Sequence, residues 1–332
     1  MLTGNEKIKN PALVLGSSTL ASNLSETEIP CYSGSEKSTN GYLQIINAKQ
    51  EFSFSPYHSD EFITELKEAG EGFTHKPVIF CDDNRAILKI SNNREALRKH
   101  YLFLYPSIEN VNRFLDSQRF FETAKRRSLP VPETFQISGL NEIQQIASFL
   151  TFPCIIKPTN SKFWKQKQFE EEMGDYHNQI RCANSEKLIE IYKRISKVTP
   201  SVVVQNWVVS NCNQEYSTNL FIDHQGATRG LYIAHKANYA KEAKWEMTEN
   251  ETIINMCKEI IASLEVKGLI NIRLKQDCRT GEFKLLKIST KNMQMGLSNS
   301  EAEINLLRLY YQHLVKEYQL YEKIRENEPM LN

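Results

Sequence analysis

Residues 268–289 read GLINIRLKQDCRTGEFKLLKIS: two apolar-rich segments, Gly268–Lys275 and Glu282–Ser289, around a turn-forming DCRTG. Side chains alternate along a strand, which puts Asn271, Arg273 and Lys275 on one face of the first segment. The same rule puts Leu285, Lys287 and Ser289 on one face of the second. If the hairpin closes around Cys278 to Gly281, Arg273 and Lys287 meet across the two strands. Like charges directly opposite destabilise a sheet. The pair must therefore either splay into water or hold an anion.

Working outward, the chain has 332 residues, enough for two or three packed units. Its formal net charge is +1, so nothing draws the molecule as a whole to nucleic acid or anionic lipid. The seven cysteines (Cys31, Cys81, Cys154, Cys182, Cys212, Cys257, Cys278) are dispersed, with no C-x-x-C pair. That pattern fits a reduced compartment better than a disulfide scaffold or a zinc site. The polar start, MLTGNEKIKNP, lacks the apolar stretch of a signal peptide, and no apolar run approaches the length of a membrane span. The expectation is a soluble, cytoplasmic protein without a membrane partner.

Short apolar runs alternate with helical patterns in the first third. Ala12–Gly16, Pro30–Ser33, Tyr42–Ile46 and Lys76–Cys81 read as strands, SSTLASNLSE as a helix start, and His58–Ala69 and the segment from Asp83 as helices. Strands separated by helices predict a parallel, doubly wound sheet ending near Val111. A second unit opens where Asp116 can cap a helix with Phe120, Phe121 and Ala124 on its apolar side. Strands at Glu133–Ile137, Phe152–Pro158, Gln179–Cys182 and Ser201–Trp207, with helices at Asn141–Leu150 and Glu186–Ile195, predict an α+β lobe. The polar stretch from Thr159 to His177 reads as a long lid loop, with Phe163 and Trp164 closing over a cleft. In the third unit, Glu215–Asp223 and Thr228–His235 flank HQG as a hairpin, and Thr252–Leu264 is a helix leading into residues 268–289. The last helix, Glu301 to about Asn327, carries Ile304, Leu307, Tyr311, Leu314, Tyr318 and Tyr321 along one stripe. Packing on its own body is the favoured reading of that stripe; a homodimer seam is the alternative.

In order, the chain presents D-x-x-R-F followed by LPVPET, then FPCIIKP, VVVQNWV, NQEYS and GLINIRLKQD with GEFKLLKIS. This succession resembles the ATP-grasp superfamily, in its carboxylate–amine ligase branch, over nearly the whole chain. The resemblance implies an N-terminal doubly wound α/β (pre-ATP-grasp) domain, residues 1–113, followed by a two-lobed ATP-grasp fold. The lobes would be 114–205 and 206–332, with ATP or ADP clasped between them. It also implies roles. Arg119 falls where the family places a cation on the phosphates, and Lys157 matches the lysine that projects toward the nucleotide. Gln205 and Val208 fall at the adenine-binding hinge, and Glu215 falls where a carboxylate takes the ribose hydroxyls. Lys236 falls where a basic residue often lies near the acceptor or γ-phosphate. Read on its own, an ammonium on a buried strand such as Lys157 needs an anionic partner, whereas Glu215 is equally well a strand-edge charge.

The chain also departs from the family pattern. Asn206 stands where the hinge normally has glutamate, and Asn178 stands where a lysine usually ends the long loop. The family's metal ligands are a Gln or Glu on the first hairpin strand, then the Glu and Asn of E-I-N-P-R. Those places hold Arg273, Lys287 and Ser289, and the motif reads K-I-S-T-K, ending at Lys291. Two magnesium ions need hard anionic oxygens. Exchanging carboxylates for cations alters the local charge by up to about four units and repels Mg²⁺, so magnesium is not expected at the usual site.

Three readings remain open. The favoured one is a degenerate, non-ligase member that binds a nucleotide or another small anion, with Arg273, Lys287 and Lys291 replacing the ions' charge. It would act as a partner subunit, for example of an active ligase. The second is an active carboxylate–amine ligase in which these cations stabilise the transferring phosphoryl group. The third is a binding module for an acidic metabolite. The seven histidines show no ligand spacing, so no metal centre is expected. The run KFWKQKQFEEEM mixes basic and aromatic residues, but its acidic residues argue against a nucleic-acid partner.

Overall fold

The computed structural model describes residues 10–16, 20, 24, 29–37, 51–159, 163, 166–174, 179–210, 214–239, 242–290 and 305–327. Strands β1 (Ala12–Leu15), β2 (Cys31–Glu36), β3 (Glu51–Phe54) and β4 (Val78–Cys81) form a parallel sheet in the order β3-β2-β1-β4. ALVL and VIFC are continuously apolar because both faces of this sheet are covered. On one side Leu13, Leu15 and Ile79 pack against Phe62 and Leu66 of α1 (Glu61–Glu71) and Ile87 and Ile90 of α2 (Asn84–Asn92). Asp83 caps α2, accepting hydrogen bonds from the Arg85 and Ala86 amides. On the other side Ala12, Val14, Val78 and Phe80 pack against Leu306, Leu307 and Tyr310 of the terminal helix, together with Leu20 and Leu24. The expected strand Tyr42–Ile46 lies outside the described residues, as does most of SSTLASNLSE; β3 was not anticipated.

A short helix, α3 (Arg94–Leu97), and α4 (Ile108–Leu115) lead into α5 (Ser117–Arg126), where the Asp116 carboxylate accepts from the Arg119 amide at 3.0 Å. The next unit comprises β5 (Thr134–Ile137), α6 (Leu140–Ala147), β6 (Cys154–Pro158), α7 (Lys167–Met173), β7 (Ile180–Cys182), α8 (Ser185–Ile195) and β8 (Val202–Asn206). Its sheet is antiparallel in the order β5-β8-β6-β7. The expected lid loop needs correcting: α7 lies within it, and Phe169 and Met173 are buried in this unit's core. A one-turn apolar spacing inside a charged KQFEEEM was too short to read as periodicity. Phe163 packs against the same core rather than closing over the cleft, and Trp164 lies outside the described residues.

The third unit is a five-stranded antiparallel sheet, β11-β10-β9-β12-β13. Its strands are β9 (Glu215–Ile222), β10 (Thr228–Tyr239), β11 (Glu242–Thr248), β12 (Gly268–Gln276) and β13 (Phe283–Ser289), with α9 (Glu251–Leu264) on one face. Ile253, Cys257, Ile260 and Leu264 of α9 cover Leu220, Ile222, Ile270, Ile272 and Leu274. β11, absent from the sequence reading, pairs with a β10 longer than the expected Thr228–His235. The boundaries expected at residues 113 and 205 fall inside α4 and β8.

The opposite sheet face changes character along its strands. β9 runs from Phe221 through Asn219 and Ser217 to Glu215, and β12 from Leu269 through Asn271 and Arg273 to Lys275. The apolar ends lie beneath the terminal helix α10 (Leu306–Asn327), and the polar ends face the neighbouring lobe. α10 is thus wedged between the parallel sheet and the five-stranded sheet. The Tyr310 hydroxyl accepts from the Leu104 amide at 2.7 Å, and the Tyr311 hydroxyl donates to the Asn10 carbonyl. Intramolecular packing describes the helix through Leu314; beyond it Leu320, Tyr321 and Ile324 are exposed. Gly268 opens β12 at φ +92°, and a Cβ there would overlap the Leu104 carbonyl oxygen, so this strand can start against the first domain only with glycine.

Candidate functional site

The two α+β units face each other across a cleft of about 680 Å³. β6 and β8 supply Lys157, Gln205 and Asn206, followed by Trp207 and Val208. The facing sheet supplies Glu215, Asn271, Arg273, Lys275, Lys287 and Ser289, and Phe114 and Phe121 close one wall. Lys157 reaches the cleft because β6 alternates: Ile156 enters the lobe core while Lys157 takes the other face. Its ammonium lies 5.2 Å from the centre of the Phe121 ring. Burial, with the charge of Lys287 second, pulls its pKa down from 10.5 to about 8.

The hairpin closes in the expected register, with Arg273 directly opposite Lys287 and Asn271 opposite Ser289. Arg273 turns along the sheet: its Nη1 is 3.4 Å from Glu215 Oε1, and its guanidinium lies 5.5 Å from the Trp245 ring centre. Lys287 is exposed toward the cleft. One detail of the face assignment is corrected. The register shifts after Arg273, so Leu285 pairs with Leu274 and is fully buried, and Leu286 lines the cleft instead. An extra residue in one strand reverses the alternation beyond it, and no turn residue in FKLLKIS signals the bulge.

Among the described lining residues, Lys157, Arg273, Lys275 and Lys287 carry positive charge and Glu215 alone is acidic. Lys275 was named only as a neighbour of Arg273, yet it faces the cleft with its ammonium 4.5 Å from the Trp207 ring centre, which Arg181 approaches at 5.2 Å. Burial lowers the Lys275 pKa, against Glu215, with Lys236 and Arg181 adding to the lowering. Alternation alone places Lys275 on this face beside Arg273. The shared Trp207 ring joins β7 to β12, a pairing with no local sequence signal.

The remaining sequence candidates divide. Val208 is buried and lines the cleft. Gln205 also lines it, but its amide donates to Thr134 Oγ1 at 2.9 Å, tying β8 to β5. The Asn206 amide donates to Glu133 Oε2 at 3.0 Å, and its Oδ1 is buried without a hydrogen bond. Arg119 is exposed and is not among the lining residues, although Ser117, Phe120 and Phe121 of the same helix are. Lys236 lies on β10 opposite Trp245, outside the lining. Lys291 and Asn178 lie outside the described residues. Asp277 stands away from the cleft in the hairpin turn, where hydrogen bonds from Arg279 hold its pKa down to about 2. Away from the cleft, His224 and His313, which show no ligand spacing in the sequence, converge on Glu317.

No family model matches the chain. It is 24% identical over 295 residues to D-aspartate ligase of Enterococcus faecium (strain Aus0004), covering 84% of this chain and 68% of that protein. Among solved structures it is similar to the L-amino acid ligase from Bacillus licheniformis, with a TM-score of 0.67 and 13% identity, covering 94% of this chain and 75% of that one. N5-carboxyaminoimidazole synthetase from Staphylococcus aureus, complexed with ADP, gives a TM-score of 0.65 and 14% identity over 89% of this chain and 74% of that one. With a doubly wound domain followed by two α+β lobes facing across a cleft, the chain has the ATP-grasp fold shared by these ligases and synthetases.

Proposed function

We propose that the protein binds ATP, ADP or another small polyanion in the interlobe cleft without magnesium, and that it is a member of the fold that does not catalyse ligation. Arg273 opposite Lys287 is the observation that carries this reading. The resemblance assigns those places and Ser289 to Gln or Glu, Glu and Asn, the donors for two magnesium ions. Two cations and a hydroxyl do not fit a hard dication, and Glu215, the one carboxylate among the described lining residues, already faces Arg273. What the lining can do is neutralise phosphates directly: Lys157 and Lys287 from opposite lobes, with Lys275 and Arg273 beside them, make a multivalent cation set. Its role would then be that of a nucleotide-responsive partner subunit.

Calorimetry with ATP and ADP, in magnesium and then in EDTA, tests the proposal. Binding indifferent to EDTA supports it; tight binding that requires magnesium overturns it. The likeness to D-aspartate ligase favours a second reading, an active carboxylate–amine ligase whose cations stabilise the phosphoryl group in flight. ADP release that depends on an added acid and amine would establish that reading.

A further inference from the structure

β9 reaches the cleft only at Glu215; its other end, Ile222, is about 24 Å away along the strand and leads into a tight turn. That turn is fixed from within. Asp223, fully buried, accepts hydrogen bonds from the Gln225 and Ala227 amides at 2.9 Å and from Arg229 Nε. The next residue, His224, is therefore presented on a pinned loop rather than a wandering one.

α10 crosses this end of the sheet. Its His313 ring packs edge-on to Phe221, with centres 5.3 Å apart, and Glu317 follows one turn later on the same helix face. Glu317 Oε1 lies 2.7 Å from His224 Nδ1 and 3.0 Å from His313 Nε2. The three donor atoms are all within 4.8 Å of one another. Apart from the Glu317 contact, the buried His313 Nε2 makes no hydrogen bond, and an ion between the three groups would give it a directed bond.

We propose that His224, His313 and Glu317 bind one divalent transition metal of the zinc class, with water in the remaining position. Two imidazole nitrogens and one carboxylate oxygen are a donor set that suits Zn²⁺, Co²⁺ or Ni²⁺ better than Mg²⁺ or Ca²⁺. Tetrahedral coordination at about 2.0–2.1 Å sets donor atoms roughly 3.3 Å apart. Glu317 Oε1 must draw back from the two nitrogens by roughly 0.3–0.6 Å, and the nitrogens, within 4.8 Å of each other, need to close by no more than about 1.5 Å, a shift the half-exposed His224 can make. The ion would staple the terminal helix to the β9–β10 turn, independently of whatever fills the cleft.

The test is titration of EDTA-stripped full-length protein with Zn²⁺ against a chromophoric competitor, and with Co²⁺ by visible absorption, for wild type, His224→Ala and Glu317→Gln. His224 sits on an exposed turn, so its variant tests the site without threatening the core. One equivalent is expected to bind to wild type, weakened at least about tenfold in each variant, with the Co²⁺ ligand-field bands lost. Equal affinity in all three proteins overturns the proposal. So does a thiolate-to-cobalt charge-transfer band, which would move the ion to cysteine, and so does no stoichiometric binding by wild type.

Discussion

Lys157→Met should make the protein more stable while weakening its hold on anions. An ammonium placed on the inner face of β6 near Lys287 is costly, and the cost is visible as a pKa lowered from 10.5 to about 8. At about 1.4 kcal/mol per unit, a lowering of roughly two and a half units is worth on the order of 3 kcal/mol. The face of Phe121 returns part of this, and an isosteric apolar side chain should recover about 1–2 kcal/mol at pH 7. The sign follows from proton binding. Between about pH 8 and 10.5 the unfolded chain holds a proton that the folded chain has released. Stability from this group is therefore full above the unfolded value and is lost as pH falls through about 8. Urea unfolding of wild type and variant at pH 7 and again above pH 10 measures both effects, with calorimetry against ADP alongside. The variant should lead by about 1–2 kcal/mol at neutral pH and lose that lead at high pH, while ADP affinity falls. A variant less stable than wild type at pH 7, or one with unchanged ADP affinity, would refute the idea that the cleft stores excess positive charge for an anion.

Three more outcomes are expected. Arg273→Glu combined with Lys287→Glu should create magnesium-dependent nucleotide binding, read as a difference between calorimetry in magnesium and in EDTA; no magnesium effect would mean the cleft has drifted beyond these two places. Tyr310→Phe strands the Leu104 amide in the core, and should cost about 1–3 kcal/mol in denaturant unfolding. Gly268→Ala forces both a strained φ and an overlap with the Leu104 carbonyl, and should lower stability by at least about 2 kcal/mol or abolish soluble expression.

Much of the architecture was legible because period and punctuation are local. The parallel sheet followed from ALVL and VIFC, the α5 start from Asp116, and the Arg273–Lys287 pairing from a turn at DCRTG and simple alternation. What escaped depends on contacts distant in sequence. The bulge that turns Leu285 inward answers to Leu274 across the strand, and α7 owes its existence to the core that receives Phe169 and Met173. Within the site, Lys157, Val208, Glu215, Arg273 and Lys287 do share one cleft, whereas Arg119 and Lys236 stand outside its lining. A family pattern can assign a residue to a strand or helix turn, but side-chain direction there is settled by packing. His224, His313 and Glu317 meet only because α10 lies across a turn almost ninety positions earlier in the chain, a convergence no spacing rule reveals.

The wedged terminal helix also sets a timetable for synthesis. The Tyr311 hydroxyl closes onto the Asn10 carbonyl across 301 positions, and Leu306, Leu307 and Tyr310 complete the burial of Ala12, Val14 and Phe80. At about 5–20 residues per second, the ribosome leaves that apolar sheet face waiting for roughly 11–45 s between Phe80 and Leu306. During that interval the nascent first domain offers a bare hydrophobic surface, and it is then that a chaperone has reason to hold it.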